Sequence, residues 1–212
     1  MRSSARRCSA SSRRSNAIEP HGRLFVVAGP SGVGKGTIVR RLLERLPRLR
    51  VSISATTRPP RPTEQDGVDY LFVSDDEFSR MAREGSLLEW AEVFGHRYGT
   101  PVRTVQNALA DGHDVVLEID VQGAFQVREK LPSAVLILLE PPSLAELERR
   151  LRERGTEDEE RLAERLAMAE WELGQQAWFD HVLVNDDLER AVDLLVAIIQ
   201  GFPTSSEGPT HP

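Results

Sequence analysis

An apolar run, Leu24-Phe-Val-Val-Ala28, leads directly into Gly29-Pro-Ser-Gly-Val-Gly34-Lys35, and helical periodicity takes over at once. Strand, glycine-rich loop and helix in that order form the first unit of a parallel α/β sheet. The glycines let backbone N–H groups turn inward, and the helix N-terminus presents its positive end to an anion. The spacing predicts a helix over Thr37–Leu46, apolar at Ile38, Leu42, Leu43 and Leu46 and closed by Pro47. Lys35 and Lys130 are the only lysines among 27 basic residues. A compact ammonium kept at the end of this loop fits the lysine that reaches the β- and γ-phosphates of a nucleoside triphosphate, where arginine's planar fork would sit differently. A glycine-rich turn with a solvated lysine would not require a strand before it and a helix after it. The candidate triphosphate site is therefore Gly29, Pro30, Ser31, Gly32, Val33, Gly34, Lys35, Gly36 and Thr37. Gly36 stands where the motif places a Mg²⁺-ligating Ser or Thr. Either Thr37 contributes from one place later, or Mg²⁺ is held by phosphate oxygens, waters and a carboxylate elsewhere.

Alternation continues down the chain. Strands are predicted at Val51–Ser54, Tyr70–Val73, Leu87–Phe94, Val115–Asp120, Ala134–Leu139 and His181–Asn185. Ser74–Glu77 and Ser143–Glu146 read as capping boxes opening helices, and Thr100-Pro101 as an N-cap and first-turn pair for a helix ending near Gly112. Residues 148–172 are charged and largely helical, with pairs such as Glu157–Arg161, and a last apolar-periodic helix spans 187–200. The expected architecture is α/β, a P-loop parallel-sheet core with helices on both faces. The core is assigned to 23–53, 101–147 and 178–201, with a small inserted subdomain at 54–100 and a helical lid at about 148–172.

At this length one compact domain suffices. The net charge of −6 conceals a basic start, Arg2, Arg6, Arg7, Arg13 and Arg14 against Glu19, so the remainder is acidic and nucleic acid is not an expected partner. No apolar run approaches the ~20 residues that span a bilayer, so no membrane is expected either. The single Cys8 excludes an internal disulfide and fits a reducing compartment. The expected location is the cytoplasm. Residues 1–22 read as a disordered Ser/Arg-rich extension; an early start codon and a transit peptide, which would mean an organelle, are the alternatives. Residues 202–212 read as a disordered tail. Deleting residues 1–20 is expected to leave folding and activity of the purified protein intact; loss of either would overturn that reading.

The insertion gathers groups suited to a second phosphate. Ser54-Ala-Thr-Thr-Arg58-Pro-Pro-Arg61 sets two guanidinium forks three residues apart on a proline-stiffened backbone, and Tyr70 and Tyr98 are the only tyrosines. Glu118 and Asp120, two apart on one predicted strand, would share a face. Those motifs, with Gly67-Val-Asp-Tyr70-Leu-Phe-Val, Leu88-Glu89-Trp-Ala-Glu, Tyr98-Gly99-Thr100, Glu118-Ile-Asp120-Val-Gln-Gly123 and the Arg150–Arg154-Gly155–Arg165 stretch, resemble guanylate kinase in order and spacing. The resemblance runs from about Arg23 to Gln200.

It implies ATP-dependent phosphorylation of GMP, and of dGMP, with Mg²⁺. It assigns Arg58, Arg61, Tyr70 and Tyr98 to the GMP phosphate, and Ser54, Glu89 and Thr100 to guanine with Asp120 close by. Lys35, Arg150, Arg154 and Arg165 take catalytic positions and Asn185 joins the ATP site, while Asp120, through water, and Thr37 are the metal candidates. ATP/ADP and GMP/GDP are the expected partners of a monomer or homo-oligomer. The rivals are a sugar-phosphate kinase of similar build, which would lack the Glu89–Ser54 pairing, and a scaffold module with the same fold. The intact loop and the lid arginines argue against the second.

Overall fold

The computed structural model describes residues 22–93, 95–153 and 159–201. Five parallel strands form the central sheet: β1 (Leu24–Ala28), β2 (Leu49–Val51), β7 (Asp114–Glu118), β8 (Val135–Glu140) and β9 (His181–Val184), in the order β2-β7-β1-β8-β9. β1 is buried at all five residues, as a central parallel strand must be, and its alternation feeds two cores. Phe25 and Val27 pack with helices α1 (Lys35–Arg45) and α7 (Leu188–Gln200) on one face. Leu24, Val26 and Ala28 pack with α3 (Val102–Ala110) and α4 (Val121–Lys130) on the other.

A second, four-stranded sheet is built between β2 and α3. It comprises β3 (Ala55–Thr56), β4 (Leu71–Phe72), β5 (Leu87–Val93) and β6 (His96–Pro101), in the order β4-β3-β6-β5, with α2 (Asp75–Arg83) packing Phe78 beneath it. Two helices, α5 (Leu144–Glu153) and α6 (Glu159–Leu173), stand over the P-loop on a small core of Leu147, Leu151, Leu162 and Ala169. Ser74 caps α2 through the Glu77 N–H at 3.2 Å, and Ser143 caps α5 through the Glu146 N–H at 3.1 Å.

Three expectations are corrected. The strand read at Val51–Ser54 is instead β2 at Leu49–Val51. After it the chain leaves the central sheet, with a last ladder bond from the Ser52 N–H to the Val116 carbonyl at 3.1 Å, and enters the second sheet at Ala55. Thr100 does not cap α3. It is buried in β6, and Pro101 occupies the cap position with no side-chain bond. Asp120 is not on a strand with Glu118: β7 ends at Glu118, and Asp120 is the N-cap of α4, its carboxylate accepting the Gly123 N–H at 2.7 Å. Arg154, Glu157 of the Glu157–Arg161 pair, the segment 1–21 and the tail 202–212 lie outside the described residues. Among the described residues no helix is long and apolar enough to cross a membrane.

Candidate active site

The P-loop connects β1 to α1. Gly34 takes the N-cap at φ +101°, and a β-carbon there would stand 2.6 Å from the Asn185 amide nitrogen. Only glycine meets both conditions, the left-handed backbone and the close approach. Asn185 is itself buried and donates to the Val33 carbonyl at 2.7 Å, so the residue after β9 fixes the loop from the side. The Lys35 ammonium donates to the Gly29 and Pro30 carbonyls at 2.5 and 3.1 Å.

Arg150 and Arg165 both reach this loop. Arg150, on α5, donates to the Val33 carbonyl at 3.5 Å and the Asn185 carbonyl at 3.3 Å, while Glu146 holds its Nε at 2.9 Å. Arg165, on α6, donates to the Ser31 hydroxyl at 3.1 Å.

Three cavities meet around the loop. One, of about 180 Å³, is lined by Ser54, Tyr70, Glu89, Tyr98, Glu118, Asp120 and Lys35 among others. A second, of about 460 Å³, shares Lys35, Val93 and Asp120 with it and extends past Gly29 and Ser31 to Arg165 and Glu172. A third, of about 500 Å³, lies on the other side of the loop against Gly34, Thr37, Arg150 and Asn185. Thr37 lines this third cavity, whereas Glu118 and Asp120 line the first.

Glu89 sits at the bottom of the first cavity and is 3% exposed. The Thr100 hydroxyl donates to its Oε1 at 2.6 Å. Burial is the main force on this carboxyl and pushes its pKa up to about 7. The nearby Asp120 adds to the rise, while the Thr100 bond and Lys130 oppose it. Glu118 and Glu172 are also raised by burial and drawn back by the Lys35 ammonium.

The insertion's arginines differ in role. Arg58 lies over the Tyr70 and Phe72 rings at 5.5 and 5.9 Å, and Tyr70 meets Tyr98 edge-on at 6.0 Å. Its Nη2 donates to both oxygens of Glu64 at 2.8 and 2.9 Å, with both side chains 13% exposed. The Arg61 N–H donates to the same carboxylate at 2.8 Å, while the Arg61 side chain is 72% exposed. The Arg58 bond holds Glu64 below the usual carboxylate range. Glu64 and Glu172 escaped the sequence reading. Nothing local marks Glu64 out from other acids in a turn, and Glu172 lies in a helix whose charged run reads as solvated. Its burial, 5% exposed against the N-terminus of α4, is a tertiary fact.

Among the described residues no cluster of three or more His, Cys, Asp or Glu could hold a metal. The arrangement does suit a cation that keeps most of its waters and takes phosphate oxygens. A β-carbon at Gly36 would stand 3.3 Å from both Glu118 oxygens, so a carboxylate faces the very position that lacks the hydroxyl, and Asp120 lines the same cavity.

The family profile described as Guanylate kinase matches residues 21–201. The guanylate kinase of Thermosynechococcus vestitus is 56% identical over 178 residues, 84% of this chain and 93% of that protein. That of Caldanaerobacter subterraneus is 50% identical over 182 residues, 86% and 88% of the two chains. The crystal structure of guanylate kinase from Anaplasma phagocytophilum superposes with a TM-score of 0.72 at 34% identity, covering 86% of this chain and 87% of that one. A lysine-bearing loop, arginines reaching it from α5 and α6 and a buried carboxylate in an adjoining cavity thus stand on a chain similar to these proteins over nearly all its described length: it belongs to the guanylate kinase family.

Proposed function

We propose that this chain transfers the γ-phosphoryl group of ATP to GMP, and to dGMP, giving ADP and the nucleoside diphosphate. The carrying observation is Glu89, a buried carboxylate with one oxygen bound by Thr100, opening on the cavity that joins the P-loop at Lys35. Guanine presents an N1–H and a 2-amino donor side by side, and one carboxylate accepts from both. Adenine offers no such pair on that edge, and leaving the carboxylate unmatched costs on the order of a few kcal/mol.

Ser54 and Thr100 support the base, and Arg58, Arg61, Tyr70 and Tyr98 take the GMP phosphate. Glu64 orients Arg58 before the ligand arrives. The acceptor oxygen is already ionised at neutral pH, so no general base is needed, and the work lies in alignment and charge neutralisation. Lys35, Arg150 and Arg165 supply positive charge around the donor phosphates. Arg154 is assigned beside them on the family pattern alone. Thr37 and Asn185 border the cavity that suits the donor nucleoside. Glu118 and Asp120 would hold Mg²⁺ through its waters, and the bound cation would neutralise donor phosphate charge. The acidic composition and single cysteine suit a cytoplasmic reaction.

An ADP-release assay with ATP and a panel of nucleoside monophosphates tests the proposal. GMP and dGMP should support turnover, and AMP, CMP and UMP should not; release that ignores the acceptor would overturn it.

The carboxyl of Glu89 also sets a pH dependence. With a folded value of about 7, the ionised, guanine-accepting form is half present at that pH, predominates above it and is lost as pH falls below it. The kcat/KM for GMP should therefore drop about tenfold per pH unit below ~7. The GMP phosphate itself titrates near ~6, so Glu89→Gln provides the control: it should retain only the lower limb.

A further inference from the structure

β5 is an edge strand of the insertion sheet, paired with β6 on one side only. Its outer edge carries backbone groups that an unpaired strand would leave to solvent. Helix α4 of the core supplies their partners. The Gln126 amide nitrogen donates to the Trp90 carbonyl at 2.7 Å, and the Trp90 N–H donates back to the Gln126 oxygen at 3.1 Å, so a side-chain amide pairs as a neighbouring strand's peptide would. One turn on, the Lys130 ammonium donates to the Leu88 carbonyl at 2.6 Å and the Leu87 carbonyl at 3.3 Å. One turn earlier stands Gly123, where a β-carbon would lie 2.7 Å from Glu89 Oε2. Positions 123, 126 and 130 fall on a single helix face. They grip the backbone immediately before and after Glu89 and leave room for its carboxylate. Thr100 holds the same residue from β6, so Glu89 is fixed from both edges of its strand.

We propose that the Gly123–Gln126–Lys130 face of α4 is a specificity-determining support, through which acceptor-base discrimination depends on the core helix as well as on Glu89. A carboxylate that must accept two parallel donors tolerates little displacement, since misplacement by ~1 Å can cost about 100-fold. Lys130, one of only two lysines, thereby acquires a function that the nucleotide contacts leave unassigned. Its charge also helps keep the Glu89 carboxyl ionised against burial. The inference rests on Glu89 reading the base.

The test measures kcat and KM for GMP and IMP, and KM for ATP, in Gln126→Ala, Lys130→Met and Lys130→Arg, each alone and combined with Glu89→Gln. Gln126→Ala and Lys130→Met should raise KM for GMP about tenfold, with the effect falling on KM rather than kcat, and should erode the preference for GMP over IMP. Lys130→Arg should recover most of that loss, because its fork can also donate to two carbonyls. In the Glu89→Gln background the same substitutions should add less than about twofold, the signature of residues acting through one group. A purely structural role would weaken GMP, IMP and ATP together and would add its full effect to Glu89→Gln, and that result would overturn the proposal. If Glu89→Gln collapses the GMP-to-IMP preference while the α4 variants leave it intact, the proposal fails alone. If Glu89→Gln itself leaves the preference unchanged, the reading of Glu89 fails with it.

Discussion

Replacing Lys35 with alanine is expected to lower kcat by about 10²- to 10³-fold or more, with GMP binding largely surviving. The ammonium lines both the acceptor cavity and the cavity beside Gly29 and Ser31, and it lies among Glu118, Asp120 and Glu172. In the proposed role it would neutralise donor phosphate charge, and it offsets those carboxylates, two of which feel it directly. Without it the site, already rich in carboxylates, presents still more negative charge to a triphosphate. Lys35→Arg should fare little better. The ammonium donates to two carbonyls of the loop at 2.5 and 3.1 Å as a compact point charge, whereas a guanidinium presents its donors in a fixed planar fork. Steady-state kcat together with a calorimetric Kd for GMP checks both variants. Near-normal turnover in either would remove the P-loop assignment.

Glu89→Gln should damage GMP phosphorylation by about 30- to 1000-fold in kcat/KM, equivalent to roughly 2–4 kcal/mol. The amide keeps one acceptor oxygen, to which the Thr100 hydroxyl now 2.6 Å from Oε1 can donate, and places its NH₂ where the second carboxylate oxygen was. A donor then faces a donor of guanine. The loss should appear chiefly in KM, because the donor-side groups are untouched. IMP lacks the 2-amino group and should lose less than GMP. Equal losses for the two would mean that Glu89 does not read that edge of the base.

The features legible in the sequence were those made by neighbours in the chain. The run Leu24–Ala28, the loop to Lys35 and the caps at Ser74 and Ser143 depend on residues a few positions apart, and local residue order carries that information. The errors arose where the chain passes between two sheets. Val51–Ser54 has strand-like residues, but the central sheet takes only as far as Val51, with one more bond at Ser52. Thr100-Pro101 carries a helix-start signal that was outweighed by pairing with Glu89 across the β5–β6 hairpin. Asp120 lies one residue beyond Ile119 and two beyond the end of β7, where the chain turns and its carboxylate caps α4 instead of extending the strand. Glu64 and the α4 face stayed hidden for a different reason. Gln126 finds its partner 36 residues away and Lys130 at 42 and 43, and no periodicity encodes a side chain standing in for a strand.

The most direct test follows the phosphoryl group itself. ATP labelled in its γ-phosphoryl group, incubated with this protein, GMP and Mg²⁺, should deliver the label to the β-position of GDP, one for each ADP formed, and should leave it on ATP when AMP replaces GMP. Label recovered as inorganic phosphate, or transferred equally to both monophosphates, would contradict the account.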